Sequence, residues 1–143
     1  MRISNNNLSS VEYAAKQEDL KVLIVNDDAG LLMILETIFK STLRVKAKNI
    51  QRATNGQEAY DMAIQQQFDL IVMDLNMPIM GGYEATKKIK DYFVDPSNIL
   101  QLPDFAKKVP YIIALSATEY TEEDIKKCKE SRFDDQFISP LSA

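Results

Sequence analysis

The sequence contains no histidine and a single cysteine, Cys128. Without histidine, the chain lacks the commonest general base and transition-metal ligand, and it cannot itself carry a phosphohistidine. A lone cysteine excludes a disulfide within the chain and any site built from several cysteines, so we expect Cys128 to be a small buried apolar side chain. Any chemistry of this chain therefore rests on carboxylate, hydroxyl or amine groups.

Long apolar runs are also missing. No run approaches the roughly 20 residues that a membrane-spanning helix needs, and the start of the chain lacks the apolar core of a signal peptide. The formal net charge is -4, with lysines scattered along the chain, which weighs against a nucleic-acid-binding surface. We therefore expect a cytoplasmic protein that inserts in no membrane and binds no nucleic acid through this chain.

The length of 143 residues and the hydrophobic share of 45% predict one globular domain. Residues 1–19 begin with a polar stretch and predict an N-terminal extension, in which residues 9–16 are a candidate short helix. Residues 20–143 then carry the domain.

Apolar strand segments and amphipathic helix segments alternate along this domain. The first strand is predicted at 21–25, where a continuous apolar run follows Lys21. The next apolar residues recur at helical spacing and predict a helix between Ala29 and Lys40. The other strands are predicted at 44–53, 68–74, 111–115 and 136–138, and the other helices at 57–66, around 85–93 and at 121–131. Residues 95–110, which hold three prolines, predict a long connection with at most a short helical turn. This order predicts a doubly wound parallel sheet with helices on both faces.

Three of the predicted strands end on polar residues. The first ends at Asn26, Asp27 and Asp28, the third at Asp74 and the fourth at Ser116. In one parallel sheet these ends lie on the same edge, where ligands of open α/β sheets bind. Clustered carboxylates either raise their pKa values or bind a cation, and an oxygen-only cluster favours a hard ion such as Mg²⁺.

Five motifs in the correct order resemble the receiver domain of response regulators in two-component phosphorelays. They are residues 23–28 (LIVNDD), 55–59 (NGQEA), 72–78 (VMDLNMP), 80–82 (MGG) and 114–117 (ALSA). The resemblance covers about residues 20–140, and residues 122–135 are similar to receivers of hybrid histidine kinases. It implies a flavodoxin-like sheet of five parallel strands in the order 2-1-3-4-5.

The resemblance also implies roles for single residues. Asp74 would accept a phosphoryl group from the phosphohistidine of a histidine kinase or a histidine phosphotransfer protein, with at most weak autophosphatase activity. Asp27 would bind Mg²⁺ together with Asp74 and the backbone carbonyl of Asn76, and Asn26 would reach the ion through a water molecule. Ser116 would contact the phosphate and report it to the surface of the fourth helix and fifth strand. Asp28 matches no metal position and is predicted to start a helix in solvent.

Three residues depart from the family pattern. Asn26 replaces the first of two acids, so the affinity for Mg²⁺ should fall because an amide carries no charge. Ser139 precedes Pro140 where the family has a lysine that stabilises phosphate charge. Gln136 occupies the usual aromatic position, and Phe137 next to it should face the other side of the sheet.

The ends of the domain depart from the pattern as well. Only three residues follow Pro140, so the customary fifth helix is expected to be missing and the domain to be truncated at its C-terminus. Residues 8–17 are a candidate cover for the apolar face that this leaves, and an uncovered face would favour self-association. The connection at 91–110 is longer than in most receivers, and we interpret it as a tolerated surface insertion.

Two readings of the function stay open, and two others fail on particular residues. The chain is either a phosphoaccepting receiver or a degenerate receiver that binds proteins without cycling phosphate. A dehalogenase-type phosphatase needs an acid two residues after its nucleophile, where this chain has Asn76. A flavodoxin-like mononucleotide binder needs a phosphate loop rich in hydroxyls or glycine, and Asn26-Asp27-Asp28-Ala29 would repel a phosphate unless a metal intervened.

Overall fold

The computed structural model of the protein describes residues 19–103 and 106–139. Its sheet consists of β1 (Val22–Val25), β2 (Ile50–Ala53), β3 (Leu70–Asp74), β4 (Tyr111–Ser116) and β5 (Asp135–Ile138). The strands are all parallel and lie in the order β2-β1-β3-β4-β5. The predicted α/β class, with a flavodoxin-like doubly wound sheet in this order, is confirmed.

Four longer helices flank the sheet, and one short helix follows the third of them. They are α1 (Ala29–Ser41), α2 (Gly56–Gln65), α3 (Gly82–Val94) and α4 (Glu122–Glu130), with the one-turn helix Pro96–Ile99 between α3 and β4. The expected absence of a helix after β5 concerns residues 140–143, which lie outside the described residues. The candidate helix at 9–16 lies outside them too.

The two faces of the sheet carry different numbers of described helices. Apolar residues of α2 and α3 pack in one cluster with Leu23, Ile71 and Ile112, and Cys128 of α4 packs on the same side against Ala114. The opposite cluster joins α1 to β1, β2 and β3. Cys128 is 1% exposed, which confirms that it is a buried apolar side chain.

The start of α4 follows from its sequence. Thr121 accepts a hydrogen bond from the backbone N–H of Asp124 (3.1 Å), and the Asp124 carboxylate accepts one from the N–H of Thr121 (2.9 Å). This capping box pairs two backbone donors that a helix start leaves free. The predicted helix start is therefore confirmed, although Asp124 is shorter than the usual glutamate.

The second strand is shorter than predicted. Residues 44–53 were expected to form a strand, but only Ile50–Ala53 pair with β1. Arg44 has a φ of 61°, and residues 47–49 form a 3₁₀ turn before the strand. The apolar Val45 does not continue the strand, because it is buried in the cluster beneath α1 instead.

In the described part of the connection between α3 and β4, Pro96–Ile99 form a short helical turn of the kind predicted. Asp95 caps this turn by accepting a hydrogen bond from the N–H of Ser97 (2.9 Å), and Pro96 occupies its first position. Within the described part of the chain, no helix has the length and apolar character needed to cross a membrane.

Candidate functional site

The carboxyl ends of β1, β3 and β4 surround a cavity of about 380 Å³. Parallel pairing places Val25 beside Met73 and Asp74 beside Leu115, so the residues that follow these strands emerge at one edge. The cavity is lined by Asn26, Asp27, Asp28, Leu31, Leu35, Asp74, Leu115, Ala117 and Ser139. The predicted convergence of the strand ends is therefore present in the structure.

The turn between β1 and α1 presents Asp27 to this cavity. The side-chain oxygen of Asn26 accepts a hydrogen bond from the backbone N–H of Asp28 (2.9 Å). The backbone N–H of Asn26 donates to the carbonyl of Ala53 (3.1 Å). Asp28 in turn caps α1 by accepting from the N–H of Gly30 (2.8 Å). Asn26 thus keeps the shape of the turn without adding a charge, and Asp28 starts the helix as predicted.

Asp74 is a half-buried carboxyl group whose pKa is raised to about 6. Burial is the main cause, and the negative charge of Asp27 adds to it; hydrogen bonds from the N–H groups of Leu75 and Asn76 act in the opposite direction. The Asp27 carboxylate is therefore close enough to repel a negative charge on Asp74. A cation between them would relieve the repulsion.

We expect the raised pKa of Asp74 to make folding stability depend on pH. Because folding raises the pKa of this acid above its ordinary value of 3.8, the folded state loses stability as the pH rises from about 4 to about 6. In a metal chelator at about pH 7, Asp74→Asn should raise the free energy of unfolding by about 1–2 kcal/mol, allowing for solvent screening. Urea unfolding at about pH 7 and about pH 3.5 measures this, and the gain should vanish at the lower pH.

Asp28→Asn is the matched control for that measurement, since it removes a neighbouring acid and leaves a good helix cap. It should change stability little at either pH. Equal changes in the two variants would show that burial of the Asp74 carboxyl is not the cause.

The loop after Asp74 folds back onto the end of its own strand. The N–H of Gly82 donates to the carbonyl of Leu75 (2.8 Å), and the N–H of Met80 donates to Pro78 (2.8 Å). The second bond closes a γ-turn around Ile79, whose φ is 70°. This compact loop holds the backbone on both sides of Asn76, which lies two residues after the end of β3.

The structure brings together only some of the predicted site residues. Asn26, Asp27 and Asp74 line the cavity, whereas Ser116 and Asn76 are described but do not belong to its lining. The Ser116 hydroxyl accepts a hydrogen bond from the N–H of Thr118 (3.1 Å), within the loop that follows β4. Its neighbours in the chain, Leu115 and Ala117, line the cavity instead.

Sequence reasoning missed the apolar wall of the cavity. Leu31 and Leu35 of α1 and Leu115 of β4 form this wall. The helical spacing of Leu31 and Leu35 predicts an inward-facing stripe, but periodicity does not show where along that stripe the core ends and the cavity begins.

The side chains at the cavity suit a hard cation, although their total negative charge is small. Within residues 19–103 and 106–139, no group of three or more histidine, cysteine or acidic residues is arranged to hold a metal. Mg²⁺, however, is bound in proteins through as few as one or two carboxylates, with water completing its shell. Asp27 and Asp74 provide these two carboxylates, so the donor set fits Mg²⁺. An acid in place of Asn26 would have added a third carboxylate.

A family model for the response regulator receiver domain matches residues 22–141. The chain belongs to the response regulator receiver domain family.

Curated relatives agree with this assignment. The receiver is 38% identical over 89 residues to a protein-glutamate methylesterase/protein-glutamine glutaminase of Methanococcus maripaludis, covering 62% of this chain and 23% of that protein. It is 29% identical over 121 residues to hybrid signal transduction histidine kinase B of Dictyostelium discoideum, covering 85% of this chain and 6% of that protein. The chain therefore spans less than a quarter of the length of these two relatives.

A solved structure shows the same fold. The receiver domain of the histidine kinase CKI1 from Arabidopsis thaliana, complexed with Mg²⁺, superposes with a TM-score of 0.66 at 24% sequence identity. The match covers 85% of this chain and 86% of that chain.

Two departures of this receiver can be located in the structure. Ser139 is 8% exposed, its N–H donates to the carbonyl of Ser116 (2.7 Å), and it lines the cavity. All charged residues in the described lining are acidic, so no cationic side chain stands where the family keeps a lysine. Gln136 pairs with Ala114 and Phe137 with Leu115, so the two residues face opposite sides of the sheet as predicted.

Proposed function

We propose that this receiver accepts a phosphoryl group on Asp74 from a phosphohistidine. The donor would be a histidine kinase or a histidine phosphotransfer protein in the cytoplasm. The observation that carries the proposal is the carboxyl group of Asp74, half-buried at a strand end and electrostatically coupled to Asp27 across a cavity.

The transfer is a displacement at phosphorus. A carboxylate oxygen of Asp74 forms a bond to phosphorus while the bond from phosphorus to the histidine nitrogen breaks, and the imidazole leaves with the electron pair. The products are an acyl phosphate on this chain and a histidine on the donor. Because such transfers need positioning and charge neutralisation more than covalent help, the fixed geometry around Asp74 suits the reaction.

Residues of this chain orient the acceptor and exclude solvent from it. The N–H groups of Leu75 and Asn76 hold the Asp74 carboxylate, while Leu31 and Leu115 form an apolar wall beside it. Mg²⁺, held by Asp27, Asp74 and the backbone carbonyl of Asn76, with Asn26 acting through water, would supply the positive charge that the cavity lacks.

The signal would leave through α4 and β5. In this proposal the Ser116 hydroxyl turns from Thr118 toward the phosphoryl oxygens. Tyr120 lies in the same loop, between β4 and α4. The Tyr120 hydroxyl donates to the carbonyl of Phe137 (2.9 Å), which links the loop after β4 to β5. Slow hydrolysis of the acyl phosphate would reset the domain.

We expect acetyl phosphate with Mg²⁺ to add the mass of one phosphoryl group to the full chain. Intact-mass spectrometry should find the adduct in the wild type and in Asp28→Asn but not in Asp74→Asn, because only Asp74 carries the acceptor carboxylate. Absence of any adduct at saturating donor would contradict the proposal and support the degenerate receiver, which the comparisons do not favour.

A further inference from the structure

The loop between β4 and α4, residues 117–121, is bonded at both of its ends to β5 or to the residue that follows β5. Next to its start, the N–H of Ser139 donates to the carbonyl of Ser116 (2.7 Å). Near its end, the Tyr120 hydroxyl donates to the carbonyl of Phe137 (2.9 Å). Ser139 also lines the acidic cavity, so the loop starts beside the proposed phosphorylation site.

The Ser116 side chain takes part in the shape of this loop. Its hydroxyl accepts a hydrogen bond from the N–H of Thr118 (3.1 Å), and Ser116 does not belong to the described lining of the cavity. Contact between this hydroxyl and a phosphoryl group on Asp74 would therefore remove the bond to Thr118. Because a backbone N–H needs a partner, the loop must change its shape when that bond is lost. A movement of the Ser116 hydroxyl thus acts on all of residues 117–121.

Tyr120 provides the aromatic ring between this loop and the sheet. The ring packs in a small cluster with Leu75, Ala114 and Cys128. Gln136 of β5 pairs with Ala114 and so faces the same side of the sheet, but it contributes no ring. The aromatic contact on this side therefore comes from the loop, and its hydroxyl reaches back to β5.

Tyr120 also lies directly before the start of α4. Burial raises the pKa of its phenol, so the hydroxyl keeps its proton and acts as the donor in the bond to β5. Of the nine residues of α4, all of them described, only Cys128 is buried, so this helix has few anchoring contacts of its own. Its cap, Thr121, is the next residue after Tyr120. The position of Tyr120 therefore determines where α4 starts.

We propose that the hydrogen bond from Tyr120 to Phe137 restrains the loop in the arrangement in which Ser116 bonds Thr118. The inference rests on the proposed acceptance of a phosphoryl group by Asp74. When the Ser116 hydroxyl turns toward the phosphoryl oxygens, the loop shifts, the bond from Tyr120 breaks and the start of α4 is released. The bond thus opposes phosphorylation, and by thermodynamic linkage a phosphoryl group weakens the bond by the same factor.

Beryllium fluoride, a stable mimic of a phosphoryl group on a carboxylate, tests the restraint in the full chain. It is titrated in the presence of Mg²⁺ and followed through the nuclear magnetic resonance signals of the Asn76 and Ala117 amides. Tyr120→Phe should bind it about fivefold more tightly than the wild type, because the variant has no bond to break. A role of Tyr120 in stability alone would weaken binding instead.

Tyr83→Phe is the matched control for this titration. Tyr83 packs in the same cluster, but its hydroxyl is paired with the Cys128 thiol and not with β5. Removing this hydroxyl should leave the affinity for beryllium fluoride within about twofold of the wild type. Equal tightening in Tyr83→Phe and Tyr120→Phe would assign the effect to a loosened cluster and overturn the inference.

The remaining outcomes separate this inference from the proposed function. Equal affinities of the wild type and Tyr120→Phe would show that the bond survives the turn of Ser116, which rejects the restraint and leaves the role of Asp74 intact. Weaker binding by Tyr120→Phe would place the bond in the liganded arrangement and reject the restraint as well. No binding by the wild type, together with no adduct from acetyl phosphate, would reject the acceptor role of Asp74 and the restraint with it.

Discussion

Replacing Gly82 with alanine is expected to lower the free energy of unfolding by about 3 kcal/mol. A Cβ atom at this position would overlap the carbonyl oxygen of Asp74 and crowd the Cα of Leu75 at 3.0 Å. These are backbone atoms in the strand end and the returning loop, so no side chain can move aside. The loop must open, which weakens the hydrogen bond from Gly82 to Leu75.

Urea unfolding followed by circular dichroism measures this loss, and Gly30→Ala is its control. Gly30 lies in the first turn of α1, where the nearest atom to an added Cβ is the Asp28 carboxylate oxygen at 3.2 Å, the end of a movable side chain. Alanine there should gain up to about 1 kcal/mol from helix propensity. The same substitution should thus have opposite signs at two glycines. A neutral Gly82→Ala would contradict the close packing behind Asp74.

The second large effect is expected from Ser139→Lys. Ser139 lines the cavity beside the acidic residues, and an ammonium group there would neutralise charge that the described lining leaves uncompensated. The pKa of Asp74 should fall from about 6 by about one unit or more. Adduct formation with acetyl phosphate should become about tenfold faster, because a charged donor stabilises the transferring oxygens.

A carboxyl-detected titration in a metal chelator and the initial rate of the mass adduct give the two readouts. Ser139→Met is the matched control, since it has nearly the length of lysine without its charge. Ser139→Met should neither lower the pKa of Asp74 nor raise the rate of adduct formation. If Ser139→Met and Ser139→Lys behave alike, filling of the cavity and not charge is responsible.

The contrast between these two experiments separates the fold from the chemistry of the site. Gly82 shapes the loop that follows Asp74, whereas the residue at position 139 affects the charge of the cavity that would receive a phosphoryl group. This receiver has the compact loop, but it has a neutral serine at position 139. With Asn26 and Ser139 together, Mg²⁺ is left as the main source of positive charge in the proposed reaction.

Local patterns in the sequence were sufficient to predict the strands and helices and the order in which they follow one another along the chain. Continuous apolar runs specify strands buried on both faces, and helical spacing specifies α1 and α3. The alternation of strands and helices then leaves a parallel sheet as the compact solution. The acidic turn at Asp27, the strand-end Asp74 and the capping residue Thr121 are local signals as well, which is why they could be identified without coordinates.

Only the tertiary structure decided which of these residues share a cavity and what surrounds them. The raised pKa of Asp74 depends on burial and on Asp27, which is distant in sequence, and the apolar wall depends on how α1 packs against β4. The late start of β2, at Ile50, depends on Val45 packing beneath α1. Such contacts arise from strand register and loop closure between distant residues, and these have no local pattern in the chain.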